Sequence, residues 1–83
     1  MIEQFEQAVK ESKNITERPN NEMLLNLYSL YKQATEGDNT TEAPTNIFDF
    51  VAKAKHSAWE ALKGTTKENA MQQYIDLVKK IKG

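Results

Sequence analysis

Three tyrosines and two lysines are the side chains of this 83-residue sequence whose types and spacing could do chemistry. Tyr28, Tyr31 and Lys32 stand at i, i+3 and i+4, so a helix would place them on one surface. Leu24 and Leu25 precede Tyr28 by about one helical turn and supply an apolar border. Phenol hydroxyls and an ammonium beside an apolar strip suit a ligand with an apolar part and an anionic part.

The other two side chains, Lys55 and Tyr74, lie in later segments of the same apolar periodicity. Lys55 falls between Ala52 and Trp59 on an apolar arc, which is unusual for a solvated lysine. Ordinary explanations exist, because tyrosines on helix faces are commonly half-buried and lysines extend their ammonium out of apolar strips. Spacing alone therefore leaves both a ligand site and simple packing open.

Composition argues against most catalytic and metal chemistry. The sequence has no cysteine, one histidine (His56) and three glycines. A zinc site would need carboxylates around a single imidazole, and no phosphate-cradling glycine loop is present. No Ser-His-Asp or Cys-His set can be assembled, and the carboxylates are scattered over polar faces. We therefore predict a protein that is not an enzyme and has neither a metal nor a cofactor.

The charge and hydropathy patterns restrict the partners. Eleven basic and twelve acidic residues leave a net charge of −1, without the basic excess that favours nucleic-acid binding. No apolar run approaches the roughly 18 residues of a membrane span, and no signal peptide is visible at the N-terminus. The sequence predicts a cytoplasmic monomer with no stable membrane insertion and no nucleic-acid partner.

Apolar residues recur at helical spacing in four segments, which predict four amphipathic helices. The expected helices span about residues 2–14, 21–35, 47 or 49–63, and 66–82. Pro19 disfavours a helical Arg18, so residues 14–19 are predicted to form a loop. For the third helix, the expected inward arc comprises Phe48, Val51, Ala52, Ala54, Lys55, Ala58, Trp59 and Leu62.

Caps and glycines mark the expected helix ends. Asn20 or Asn21 can cap the second helix, and Thr65 with Glu68 forms a capping box before the fourth. Gly37 and Gly64 are expected to end the second and third helices, respectively. The polar segment 37–46 is long for a helix connection, so the third helix can run parallel to the second. The chain is predicted to be one all-α domain, residues 1–83.

Three stretches of the sequence carry a family resemblance: FEQAVKES, LYSLYKQATEGD and FDFVAKAKHSAWEALKGTTKENAMQQYI. They are similar to the acyl-CoA-binding protein family, and the similarity extends from Phe5 to about Ile81. The resemblance implies a four-helix bundle in up-down-down-up order, with a long loop between helices two and three. It also implies a carrier and pool former that binds medium- to long-chain fatty acyl-CoA with high affinity and delivers it to enzymes that use acyl-CoA.

The resemblance further implies a set of ligand-binding residues. Tyr28, Lys32 and Lys55 would hold the ribose 3′-phosphate. Tyr31 would stack on the adenine, and Tyr74 would pack against the coenzyme head group. Lys13 would approach another phosphate. The acyl chain would lie in a groove lined by Val9, Leu24, Leu25 and Tyr28.

The sequence departs from the family pattern near the expected site. His56 stands where the family usually has a tryptophan, Val51 stands where a lysine is common, and the loop before Asp49 is one residue longer. The second helix also has an apolar arc of roughly 220°, about twice what one core contact needs. That width leaves an alternative function open, a helical interaction module whose second helix forms a groove for a partner helix.

Overall fold

The computed structural model of the protein describes residues 1–15 and 19–82. These residues form four helices and no strand, in agreement with the predicted all-α class. The helices are α1 (Ile2–Lys13), α2 (Asn21–Glu36), α3 (Phe50–Glu60) and α4 (Lys67–Lys82). Residues 16–18 of the loop predicted around Pro19 lie outside the described residues.

Local signals explain where α2 begins and ends. The Asn20 side chain accepts a hydrogen bond of 2.8 Å from the N–H of Met23, so Asn20 is the cap. At the other end, Gly37 has a φ of +82°, and its N–H donates to the carbonyl of Gln33 at 3.1 Å. The glycine is required there because a side chain disfavours this left-handed backbone conformation.

The third helix is shorter than predicted at both ends. Asp49 caps it by accepting from the N–H of Ala52 at 3.0 Å, so the helix begins at Phe50. It ends at Glu60, not at Lys63, because the N–H of Lys63 donates to the carbonyl only three residues back, at 3.1 Å. This tightened final turn leads into Gly64, which has a φ of +91°.

In the described structure, the capping box predicted for Thr65 and Glu68 is not formed, and the cap of α4 lies one residue later. Thr66, not Thr65, accepts from an N–H of the first turn, that of Asn69 at 3.1 Å. The carbonyl of Thr65 instead accepts from the buried side chain of Gln33 at 2.7 Å. Thr65 therefore contacts α2 through its backbone, and Thr66 supplies the cap.

Cross-links between the helices define the topology. The Trp59 indole N–H donates to the Gly37 carbonyl at 2.9 Å, so the C-terminal ends of α2 and α3 lie together. Lys82 and Glu11 form an ion pair at 2.8 Å, so α1 and α4 also end side by side. The bond from Gln33 to the start of α4 makes α2 and α4 antiparallel. The order is up-down-down-up, as expected.

The core lies where α4 packs against both α1 and α2. Its buried residues are Phe5, Ala8, Leu27, Leu30, Ala34, Ala70, Tyr74, Ile75 and Val78. Among the described residues, α3 makes helix contacts with α2 alone. The molecule is correspondingly flat, measuring 36 × 28 × 15 Å.

The inward arc expected for the third helix is wrong over its first half. Phe48 and Val51 are 77% and 65% exposed, and Lys55 is exposed as well. Trp59, in the second half, is 6% exposed and agrees with the expectation. The apolar spacing correctly predicted a helix. The first half of α3 is nevertheless exposed because, among the described helices, α3 contacts α2 alone and borders an open groove there.

Candidate ligand-binding site

A groove of about 610 Å³ separates the first halves of α2 and α3. Its walls are formed by Asn21, Leu24, Leu25 and Tyr28 from α2, and by Phe50, Val51, Ala54 and Lys55 from α3. Because the two helices are parallel, Asn21 and Phe50 lie at one end, and Tyr28 and Lys55 lie at the other. The groove is therefore apolar along its length and cationic at one end.

Tyr28 and Lys55 are in direct contact at that end. The Lys55 ammonium lies 5.1 Å from the centroid of the Tyr28 ring, which is a cation–π geometry. The side chain of Lys55 thus extends across the groove to α2. An anionic group entering here would meet an ammonium and a phenol together.

A second cavity, of about 340 Å³, lies between α1, α2 and α4. Its lining comprises Val9, Ser12, Lys13, Pro19, Leu24, Leu27, Tyr28, Tyr31 and Tyr74. Leu24 and Tyr28 line both cavities, so the two adjoin at these side chains. One ligand could occupy both, with its apolar part in the groove.

Three aromatic rings form a cluster, and two of them, Tyr31 and Tyr74, line the second cavity. Tyr31 stacks on Phe5 with ring centroids 6.1 Å apart, and Phe5 meets Tyr74 edge to face at 5.2 Å. Tyr31 remains 41% exposed, so much of its ring is accessible. This exposure makes Tyr31 available for stacking by a planar ligand group.

Tyr74 is mainly a core residue. It is 4% exposed, and its hydroxyl donates to Ser12 Oγ at 3.0 Å, which joins α4 to α1. Burial raises the pKa of the Tyr74 hydroxyl, so the group stays protonated and keeps this donor role. Tyr74 can contact a ligand only through the part of its ring that borders the cavity.

Lys32 is oriented differently from the other predicted ligand residues. In the described structure it is absent from the lining of both cavities, whereas the other eight predicted residues line one or both. Its ammonium forms an ion pair with Glu36 and lies 5.0 Å from the centroid of the Trp59 ring. The hydrogen bond to the Glu36 carboxylate raises the pKa of Lys32 above its usual value.

Several residues at or near the site were not predicted from the sequence. Phe50 lines the groove and Ser12 lines the second cavity, and Glu36 forms an ion pair with Lys32. The i, i+4 spacing of Lys32 and Glu36 is a readable signal for the ion pair. No local signal distinguishes Phe50 from a core residue, since its exposure results from the separation of two helices.

His56 holds the long loop against α3. Its Nε2 lies 3.1 Å from the Thr41 carbonyl oxygen, so the ring donates from that nitrogen. The Asn39 side chain donates to the His56 carbonyl at 3.4 Å and is itself 7% exposed. His56 therefore joins α3 to the loop through hydrogen bonds.

Residues 1–15 and 19–82 also lack a metal-binding group and a membrane-spanning helix. They contain no group of three or more histidine, aspartate or glutamate side chains placed to hold a metal ion. None of the helices in this part of the chain combines the length and apolarity needed to cross a membrane.

Comparison with known proteins identifies the family. The model of the acyl-CoA-binding protein family matches residues 2–78. The chain belongs to this family. Its acyl-CoA-binding protein relative from Dictyostelium discoideum is 46% identical over 77 residues, which are 93% of this chain and 90% of that protein. A Caenorhabditis elegans homologue is 44% identical over 93% of this chain and 88% of its own length.

A segment similar to this chain also occurs within a larger relative. Enoyl-CoA delta isomerase 2 of Rattus norvegicus is 53% identical over 74 residues, but the match covers 89% of this chain and 19% of the isomerase. This chain thus corresponds to about a fifth of that protein.

Solved structures of acyl-CoA-binding proteins have the same fold. Acyl-CoA-binding protein 2 of Oryza sativa superimposes with a TM-score of 0.89 at 43% identity, covering 95% of this chain and 87% of the rice chain. The protein from Moniliophthora perniciosa gives 0.90 at 33% identity, covering 98% and 79%. These comparisons confirm the family and the bundle, and they give no support to the alternative of a helical interaction module.

Proposed function

We propose that the protein binds medium- to long-chain fatty acyl-CoA esters and acts as an intracellular carrier and pool former without catalysing a reaction. The observation that carries this proposal is the apolar groove between α2 and α3, which ends at Lys55 and Tyr28 and adjoins a second cavity beside Tyr31. An ester with an apolar chain and an anionic nucleotide matches both compartments. Monomeric carriers of this kind would supply enzymes that consume acyl-CoA.

The groove suits the acyl chain. Leu24, Leu25, Phe50, Val51 and Ala54 present apolar surface along both walls. Each methylene removed from water contributes about 0.8 kcal/mol, so a long chain supplies on the order of 10 kcal/mol before binding costs. This contribution makes affinity depend on the length of the chain that the groove covers.

The second cavity and the groove end suit the nucleotide head. Lysine ammonium groups are compact charges that attract phosphate, and Tyr28 adds a neutral donor. We assign the ribose 3′-phosphate to Tyr28, Lys55 and Lys32, and a further phosphate to Lys13. Adenine stacking on Tyr31 would add about 1–3 kcal/mol. Val9 and Tyr74 would complete the cavity wall.

Chain and head are expected to act together. After the costs of association and ordering, a total near −12 kcal/mol corresponds to a dissociation constant of about 1 nM. Neither fragment supplies enough contacts to reach this affinity alone. The protein should therefore distinguish the intact thioester from both of its hydrolysis products.

Isothermal titration with palmitoyl-CoA, coenzyme A and palmitate tests the proposal. We expect one-to-one binding of the thioester in the nanomolar range, with both fragments at least a hundredfold weaker. If no long-chain acyl-CoA binds better than micromolar, the proposal is wrong. Recovery of intact thioester after incubation checks the absence of catalysis, and its hydrolysis or transfer would contradict that part.

A matched pair of variants tests the assigned cation. Lys55→Ala should weaken binding of palmitoyl-CoA by at least tenfold, because it removes the ammonium at the groove end. Lys53→Ala is the control, since it removes the same charge from the same helix. In the described structure, Lys53 lines neither cavity. Equal losses in the two variants would contradict the role assigned to Lys55.

A further inference from the structure

The ammonium of Lys32 is already engaged in the ligand-free protein. Glu36, the last residue of α2, forms an ion pair with Lys32 one turn earlier. Both side chains are accessible, with 27% of Lys32 and 52% of Glu36 exposed. The pair is therefore open to exchange with an anion from solution.

Helix stability favours this pair only weakly. Glu36 lies at the negative end of the α2 dipole, where a carboxylate is unfavourable. The order of the pair, lysine before glutamate at i, i+4, is also the less stabilising one. The only basic side chain that Glu36 pairs with among the described residues is Lys32, so this carboxylate depends on the same ammonium that a ligand phosphate would use.

We propose that Glu36 is an intramolecular competitor of the ligand phosphate, which lowers the affinity for 3′-phosphorylated ligands by occupying Lys32. This inference rests on the proposed function, which assigns Lys32 to the ribose 3′-phosphate. Glu36 is then a residue that sets affinity without touching the apolar chain. A carrier must also release its ligand, and a carboxylate that reclaims the ammonium favours release.

The geometry supports competition for the ammonium. Lys32 is absent from the lining of both cavities in the described structure, and its Nζ lies near Glu36 and the ring of Trp59. To reach a phosphate beside Tyr28, the ammonium must leave Glu36 or share its donors between two anions. Leaving breaks the ion pair, and sharing places two negative charges close together. Both alternatives weaken binding relative to a chain with a neutral residue 36.

The charge-neutral variant Glu36→Gln tests this proposal. We expect it to bind palmitoyl-CoA about two- to fivefold more tightly at low ionic strength, the range set by exposed ion pairs. Palmitoyl-3′-dephospho-CoA should show no such gain, since it lacks the group that competes. The measurement is displacement titration calorimetry of both ligands, with dissociation rates from stopped flow.

Glu22→Gln is the matched control. It makes the same charge change on the same helix, about 21 Å from Glu36 along the helix axis. An equal gain in Glu22→Gln would show a general effect of net charge and would overturn the proposal. Glu36→Ala is a second variant that removes the same charge, so the test remains valid if one of the two variants does not fold.

A double-mutant cycle shows whether Glu36 acts through Lys32. In a Lys32→Met background, Glu36→Gln should no longer improve binding. If the gain persists there, Glu36 repels the ligand directly and the proposal is wrong. If the unaltered protein binds palmitoyl-CoA tightly but neither Glu36 variant binds it more tightly, this inference is wrong and the proposed function stands. Failure of the unaltered protein to bind palmitoyl-CoA overturns the proposed function, and this inference with it.

Discussion

Tyr28 borders both parts of the proposed site. It lines both cavities, and its ring lies 5.1 Å from the Lys55 ammonium. Its hydroxyl and its ring face can therefore serve the head and the chain of one ligand. Tyr31 and Tyr74 differ in role. Tyr31 is accessible for ligand stacking, whereas Tyr74 is buried in the core.

Replacing Tyr31 tests adenine stacking. Tyr31→Asn removes the ring, so the affinity for palmitoyl-CoA should fall by about 1–3 kcal/mol, or roughly five- to 150-fold. Tyr31→Phe keeps the ring and should retain most of the affinity. Circular dichroism should show unchanged helix content in both variants, because Tyr31 is 41% exposed. Loss of helix in Tyr31→Asn would indicate a structural role instead.

Replacing Tyr74 tests its assignment as a core residue. Tyr74→Phe removes the bond to Ser12 and should lower stability by about 1 kcal/mol, a fall in melting temperature of roughly 4–8 °C. The affinity for palmitoyl-CoA should change less than about twofold, because the ring remains. Ser12→Ala should give a similar loss, and the double variant little more than either. A large loss of affinity in Tyr74→Phe would place its hydroxyl on the ligand.

At the scale of elements, one polar network joins the end of α2 to the start of α4. The fully buried Gln33 donates to Asp38 Oδ1 at 2.8 Å and to the Thr65 carbonyl at 2.7 Å. The same Asp38 oxygen accepts from the N–H of Gly64 at 2.9 Å. This network positions the C-terminal end of α2, which carries Lys32.

The network makes the free energy of unfolding depend on pH in the acidic range. The N–H of Gly64, and then the side chain of Gln33, lower the pKa of Asp38 below its usual value. The stabilisation is therefore complete above the unfolded pKa of about 3.9 and is lost as pH falls through the lower folded pKa. Asp38→Asn has no such titration, so its stability relative to the unaltered protein should rise as pH falls from 5 to 2. Urea unfolding of both proteins measures this difference, and a constant difference would contradict the role of Asp38.

At the scale of the whole molecule, the groove exists because the bundle is incomplete on one side. Among the described residues, α3 has α2 as its helix neighbour, whereas α4 has two. Four apolar side chains around the start of α3 consequently remain 63–77% exposed: Ile47, Phe48, Phe50 and Val51. In the proposed complex, the acyl chain covers the groove side of this surface.

Ligand binding should therefore stabilise the whole bundle. At a free palmitoyl-CoA concentration of about 100 times the dissociation constant, binding adds about 2.7 kcal/mol to the free energy of unfolding. For a domain of this size, that corresponds to a rise in melting temperature of roughly 10–20 °C. Coenzyme A at the same concentration should give a much smaller rise. Thermal unfolding followed by circular dichroism measures both, and equal shifts would contradict joint recognition of chain and head.

Most of the correct sequence predictions rested on residues that are close together in the chain. Asn20, Gly37 and the apolar spacing located α2 within one residue at its C-terminal end, because caps and periodicity act over a few residues. The motifs in three stretches of the chain indicated the family, which the comparison confirmed. The eight predicted residues that line the cavities were therefore identifiable, although their division between two cavities was not.

Contacts between distant segments decided the rest. The same apolar spacing buries Trp59 and exposes Phe48, since only the second half of the segment meets the end of α2. Thr66, not Thr65, caps α4, and the Thr65 carbonyl accepts a hydrogen bond from Gln33, 32 residues away. The sequence by itself determined the helices and the family through local spacing and motif. Which faces were covered and where the groove opened depended on how those helices packed, which no local pattern encodes.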